Sequence, residues 1–282
     1  MRTLGRHIFR ILCKLYPYEN GKYSLLQKVY FPYLAPRNSF EITTKIKDNI
    51  LMKLDLTEYI QAYLYNFGSY ELPTINYIKK TIKPNMNILD IGGNVGLMTL
   101  VFANQLNNTG KVFTFEPEPS NFKKLTDNVA LNKFTNVLLN QLAVSDRSLN
   151  LKFYLSTGNN SGVHSLIYNA SLNSDYIEVP AIKMDEYVIE HNIGKVDLIK
   201  IDVEGAELDV LNGMQSLLKK DKPIIIMEVV SEYLKSRNSS AIQFKQMMKS
   251  QYGYEAYLPT INGDLTRDNE QHENIGDNVI FI

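Results

Sequence analysis

The apolar positions of this chain change their period near residue 87, and that change organises the rest. Upstream, "SFEITTKIKDNILMKLDL" at 39–56 alternates Phe40, Ile42, Thr44 and Ile46, then Ile50, Met52, Leu54 and Leu56, around "KDN". Strict alternation on both sides of a polar turn predicts a β-hairpin. The stretch "TEYIQAYLYNFGSYELPTINYIKKTIK" then repeats its apolar residues every three or four positions, is interrupted at Gly68 and Pro73, and stops at Pro84. That pattern predicts two helices separated by a turn.

From residue 87 short apolar runs alternate with helical stretches. Strands are predicted in "NILDIG", "KVFTFEP", "NVLLNQLAV", "VDLIKIDV" and "PIIIMEV", with helices after the first, second, fourth and fifth. Such alternation implies an α/β fold with a parallel sheet covered on both faces. Between the third and fourth strands, residues 149–185 read as an inserted hairpin and loop. "YEAYLP" and "DNVIFI" are two more strands, joined by the polar loop "TINGDLTRDNEQHENIG". A terminal hairpin of this kind cannot make a right-handed crossover, so its last strand must enter the sheet antiparallel. The expected architecture is a seven-stranded sheet over 84–282, preceded by an extension over 1–83 containing a basic helix, the hairpin and the two helices.

Bulk properties narrow the function. Thirty basic and thirty acidic residues cancel, which gives no global field for nucleic acid. Cys13 is the only cysteine, excluding an intrachain disulfide and a thiolate zinc site and fitting a cytoplasmic setting. No apolar run approaches the length of a membrane span. The start "MRTLGRHIFRILCKLYPY" places Arg2, Arg6, Arg10 and Lys14 four apart, with Leu4, Ile8, Phe9, Ile11, Leu12 and Leu15 between them. Two readings fit this basic amphipathic helix: one packed on the domain, or one in peripheral contact with a membrane.

The chemistry concentrates at strand ends. In open α/β sheets ligands bind beyond the carboxyl ends of the strands, and "DIGGNVG" ends the first one. Gly92, Gly93 and Gly96 permit close backbone approach, and a helix starting near Asn94 would aim free N–H groups into the same space. Glu116 ends the second strand, twenty residues after Gly96, where a carboxylate can accept both hydroxyls of a ribose; Pro117 fixes the exit of the chain. Two cofactors compete for this arrangement. A dinucleotide brings a doubly negative pyrophosphate, with which Asp90, two residues before Gly92, would clash. A carboxylate there suits the sulfonium and ammonium of S-adenosylmethionine.

Taken in order, "YNFGSYE", "NILDIGGNVGLMTL", "FEPEPSNFKKLTDNVALN", "AVSD" and "VDLIKIDVEGAELDVLNG" resemble the FkbM family of S-adenosylmethionine-dependent methyltransferases over residues 65–282. The resemblance implies the class I, Rossmann-like methyltransferase fold and transfer to a hydroxyl oxygen of a sugar, glycan, glycolipid or secondary metabolite. The family often has Ala where Gly93 stands, a departure expected to cost little. Glu71 matches the family's acid in the G-x-Y-E segment and is expected to contact cofactor or substrate.

Removing the proton of an attacking alcohol calls for a carboxylate or imidazole within reach. Asp202 and Glu204 in "KIDVEG", Glu228 in "IIIMEVV" and His164 in the insertion are the candidates, and Asp202 also lies beside the cofactor strand. Ala143 and Val144 either flank the adenine or fill the core. Three acids at one rim are compatible with a divalent cation, but nothing in their spacing demands one and none is expected. "KIDVEG" lacks the N-P-P-Y or D-P-P-Y run of base-methylating relatives of this fold, so the acceptor is expected to be a small molecule or glycan and not a nucleic acid. A cofactor-binding scaffold without turnover, and an NAD-dependent oxidoreductase, are the rival readings.

Overall fold

The computed structural model describes residues 2–16, 21–156, 165–166, 173–268, 272–273 and 275–282. They form two compact units that divide at Glu71 and Leu72. In the first, α1 (Arg2–Leu15), α2 (Lys22–Leu25) and a π-helical continuation Leu26–Leu34 precede a hairpin of β1 (Glu41–Lys45) and β2 (Leu51–Asp55), followed by α3 (Tyr59–Phe67). The expected hairpin is antiparallel, Thr43 facing Lys53, with Asp48 and Asn49 supplying the positive-φ turn. Phe9 and Cys13, one helical turn apart, close the core of this unit against Leu26, Tyr30 and Ala62. Burial pushes the Cys13 thiol up to about 12, so it is a packing residue.

The second unit starts with α4 (Leu72–Thr81), which the sequence pattern grouped with the extension. Then come β3 (Asn87–Ile91), α5 (Leu97–Leu106), β4 (Lys111–Phe115), α6 (Pro119–Asn132), β5 (Val137–Asn140), β6 (Ala143–Val144), β7 (Asn150–Ser156) and β8 (Asn173–Ile182). The chain continues through α7 (Met184–Glu190), β9 (Leu198–Ile201), α8 (Glu207–Asn212), α9 (Gln215–Asp221), β10 (Ile224–Val230), α10 (Ser231–Ser236), α11 (Ala241–Tyr252), β11 (Ala256–Pro259), β12 (Leu265–Arg267) and β13 (Ile275–Phe281).

The main sheet has the order β12-β11-β13-β10-β9-β3-β4-β5. Strands β5, β4, β3, β9 and β10 run parallel, and β13 enters antiparallel between β10 and β11. This is the class I methyltransferase arrangement, with the expected terminal hairpin. Helix α5 is apolar on almost every side, and Leu100, Phe102 and Ala103 are fully buried. Each such large side chain contributes about 1.5–3 kcal/mol of burial, so the turn that leads into α5 is anchored from below.

Three local expectations change. The run read as one strand, "NVLLNQLAV", breaks after Asn140. Its second half, β6, leaves the main sheet to pair in parallel with β8, which also pairs antiparallel with β7. The loop after β11 holds an eighth strand, β12, paired Tyr257 to Arg267 across a tight turn at "TINGD". Helix α7 closes the insertion where none was expected, with Asp185 taking the N–H groups of Ser216 and Leu217 at the start of α9.

Behind the sheet, Lys245 of α11 donates to Asp268 Oδ2 at 2.9 Å and to the His272 carbonyl at 2.6 Å, with side-chain exposures of only 2% and 1% for the charged pair. Removing Lys245 would leave the buried Asp268 carboxylate leaning on His272 Nδ1, 3.3 Å from its other oxygen. Lys245→Met is expected to lower unfolding stability by about 3–5 kcal/mol in urea titrations. A loss below about 1 kcal/mol would mean that Asp268 is satisfied without it.

Candidate active site

Parallel pairing decides which side chains meet. In register, Asp90 of β3 lies between Thr114 of β4 and Lys200 of β9. Asp90 is 1% exposed and accepts a 2.5 Å hydrogen bond from Thr99 Oγ1, while Thr114 Oγ1 donates to Thr99 Oγ1 at 3.2 Å. Lys200, equally buried, reaches along its own strand to Asp202 Oδ2 at 2.8 Å. Burial pushes the Asp90 carboxyl up to about 6, against the pull of Thr99 and Lys200.

The glycine turn is packed more tightly than its sequence suggested. A Cβ on Gly92 (φ 87°) would lie 1.8 Å from the Asp202 carbonyl oxygen, so only glycine fits. The N–H groups of Gly92 and Gly93 both donate to the Phe115 carbonyl, Asn94 N–H donates to Glu116 Oε2 at 2.8 Å, and Gly96 N–H returns to Gly93. Helix α5 therefore starts at Leu97, three residues later than expected, because Asn94 (φ 48°) and Gly96 (φ 100°) are left-handed. The N–H groups expected to be free there are spent on the chain itself. The easy exchange of Gly93 for Ala also fails, since a Cβ would stand 2.4 Å from Thr114 Cγ2, a β-branched side chain in a buried strand.

Glu116, at the end of β4, is 5% exposed. Its Oε2 takes Asn94 N–H and its Oε1 takes Glu118 N–H at 2.9 Å, which fixes the carboxylate and leaves lone pairs on both oxygens. Glu118 in turn caps α6 through Ser120 and Asn121, with buried Pro117 and the following Pro119 setting the path. Desolvation raises the Glu116 carboxyl to about 7, only partly countered by those two N–H donors.

A second group of acids follows β9. Glu204 sits in a left-handed turn (φ 55°), accepts 2.6 Å from the Tyr233 hydroxyl of α10, and has its carbonyl bound by Ser165 Oγ at 2.6 Å. One carboxylate oxygen each from Asp202, Glu204 and Glu228 lies within 4.8 Å of the other two. Burial first, and Asp202 next, raise the Glu204 carboxyl to about 8. Glu207, buried at the start of α8, accepts from Gly205 N–H at 3.0 Å and is raised by burial to about 7. Sequence reasoning missed Glu207 and Tyr233. The first looked like an ordinary acid in a helix's opening turn, and the second joins the group only through the β9–β10 pairing.

Of the other candidates, Ala143 and Val144 are each 3% exposed and belong to apolar clusters, the position of core residues. Glu71 is the last residue of the first unit, with φ 51°. His164 lies outside the described residues.

Residues 90–256, more than half of the chain, match the family described as the methyltransferase FkbM domain. The chain belongs to the FkbM methyltransferase family. Among curated relatives, Methyltransferase 1 of Beauveria bassiana is 30% identical over 45% of this chain and 57% of its own length. Hexuronic acid methyltransferase AglP of Haloferax volcanii is 31% identical over 49% of this chain and 53% of its own, and 2-O-methyltransferase NoeI of Sinorhizobium fredii 30% over 50% and 62%. The chain thus spans little more than half the length of these relatives. In this FkbM chain Asp90 lies in register with Lys200 and Asp202 is bonded to it, Glu204 and Glu228 join Asp202 in one group, Glu116 follows β4 and Glu207 opens α8.

Two outcomes follow. Gly93→Ala is expected to cost about 1–3 kcal/mol of stability through overpacking, and Thr114→Ser, which removes the opposing methyl and keeps the hydroxyl, should recover most of it in the double variant. Equal stability of the two glycine-to-alanine proteins would contradict that contact. Because Asp90, Glu116, Glu204 and Glu207 all titrate above ordinary carboxylates when folded, the native state holds more protons than the unfolded chain between about pH 4.5 and 8. Their stabilising contribution is complete below the unfolded values and is lost as pH rises through about 6 to 8. The thermal midpoint should therefore fall over that window, and less steeply in Glu204→Gln; an unchanged slope would remove Glu204 from the account.

Proposed function

We propose that this chain is an S-adenosylmethionine-dependent O-methyltransferase acting on a hydroxyl of a sugar, glycan, glycolipid or secondary metabolite. The carrying observation is the charge of the rim. Acids near the carboxyl ends of β3, β4, β9 and β10, with the single cation Lys200 held by Asp90 and Asp202, are a poor seat for a pyrophosphate and a good one for a sulfonium and an ammonium. Glu116 would hold the ribose, since its oxygens are already oriented by Asn94 and Glu118 and retain acceptor capacity. Asp90 would face the cationic end of the cofactor, and Gly92 and Gly93 would keep the backbone low enough to admit it. When bound, the cofactor supplies an electrophilic methyl group.

The remaining task falls to the chain. An acceptor hydroxyl must be aligned at roughly 3–3.5 Å and relieved of its proton. Asp202, partly exposed beside Lys200, would orient the acceptor. Glu204, whose carboxyl is raised and whose direction Tyr233 fixes, would receive the proton in its ionised form, which a cation bound nearby favours. AglP is named for hexuronic acid and NoeI for 2-O-methylation, which supports a carbohydrate hydroxyl as the acceptor class.

Calorimetry with S-adenosylmethionine and with NAD tests the cofactor. Binding of the first alone is expected, weakened about 10-fold or more in Glu116→Gln through the lost charge-assisted hydrogen bonds. Heat from NAD alone would overturn the proposal. With binding established, labelled cofactor and a panel of sugar acceptors should give an alkali-stable methyl ether, and tight binding without product on any acceptor would favour a scaffold.

A further inference from the structure

We infer that the outward face of α1 docks the first unit on an anionic lipid surface. The orientation of the helix carries this. An amphipathic helix of a globular unit ordinarily turns its apolar side inward, and α1 does so only at Phe9 and Cys13. Leu4, Ile8, Ile11, Leu12 and Leu15 point out, with exposures of 66%, 51%, 48%, 61% and 74%. At 100° per residue these five positions form one continuous stripe along the helix.

The arginines have gone the other way. Arg6 lies over the Phe40 ring at 5.0 Å, and Arg10 lies over Tyr65 at 4.1 Å and donates to Thr44 Oγ1 at 2.7 Å. These inward contacts fix the rotation of the helix and keep the aliphatic stripe facing solvent. One face of the helix is packed on the unit and the opposite face is exposed.

Charge and size choose the occupant. Residues 2–40 carry seven Lys or Arg against the single acid Glu19, and of the bases not turned inward Lys14, Lys28 and Arg37 are exposed. This complements anionic headgroups, toward which each lysine near the surface adds attraction. Exposed Tyr23 and Tyr33 in the same unit are side chains suited to a membrane interface. A stripe about 18 Å long and 10 Å wide offers roughly 200 Å², about a quarter of what each partner buries in a stable protein complex. A bilayer sets no such minimum and takes an aliphatic stripe without needing hydrogen-bonding partners. At 14 residues the helix lies on the surface, and no described helix is long and apolar enough to cross it.

The test is co-sedimentation of the full chain with vesicles of phosphatidylcholine, with and without phosphatidylglycerol. Partitioning onto the anionic vesicles is expected to be at least about tenfold stronger and to weaken with added salt. Combining Ile8→Gln, Leu12→Gln and Leu15→Gln should cut it about tenfold while leaving the thermal midpoint unchanged, because these side chains are exposed. Lys14→Glu with Lys28→Glu keeps the stripe and should abolish only the preference for anionic lipid. Absence of wild-type binding to the anionic vesicles would overturn the inference, as would equal binding of the glutamine variant. So would a dimer in sedimentation velocity that the glutamine substitutions dissolve, since a second copy would then cover the stripe.

Discussion

Everything at the carboxyl ends of the strands depends on Lys200, held in register beside Asp90 by the β3–β9 pairing and bonded to Asp202 along its own strand. A buried ammonium between two acids makes their presence tolerable, because an unpaired buried charge costs several kcal/mol. One lysine does not neutralise six carboxyl groups. Burial, first, and then the neighbouring acids raise the carboxyls of Asp90, Glu116, Glu204 and Glu207, so each holds its proton to higher pH than an ordinary acid. The rim is thus a site with stored demand for positive charge, and a cationic ligand would relieve it.

Packing explains why the demand persists. Helix α5 and the glycine turn press the backbone onto Asp202 and Phe115, and the Gly93–Thr114 contact seats the hydroxyl pair that reaches Asp90. Asp90 and Glu116 are both buried, and the turn between them approaches the Asp202 carbonyl so closely that only glycine fits at 92. Fold and electrostatics are therefore one design: relaxing the turn would admit solvent and lower the carboxyl values together.

Much of this was legible in the sequence, and the illegible part has a consistent cause. Local period revealed the β3, β4, β9 and β10 strands and the terminal hairpin, since each needs only its own residues to declare itself. The acids that end those strands could be named for the same reason. What failed was whatever depends on a partner distant in sequence. The break between β5 and β6 looked like continued alternation because the partner of β6 is β8, in the insertion. Thr114 forbids alanine at 93 only once β3 and β4 are paired. Tyr233 reaches Glu204 from α10, and the arginines of α1 turn inward because Phe40, Thr44 and Tyr65 receive them. Strand β12 is the exception, for "NGD" between two short strands is a local signal of a hairpin turn that its polar surroundings hid.

A cation that settles among raised carboxyls must exchange protons with them, and those protons can be counted. Calorimetric titration of the protein with S-adenosylmethionine at pH 7, repeated in buffers of different ionisation enthalpy, gives the number of protons exchanged on binding. A cation seated among partly protonated carboxyls must lower their affinity for protons, so net release is expected, falling when Glu116 or Glu204 is replaced by glutamine. Binding with no exchange, or with proton uptake, would contradict the account of the acidic rim.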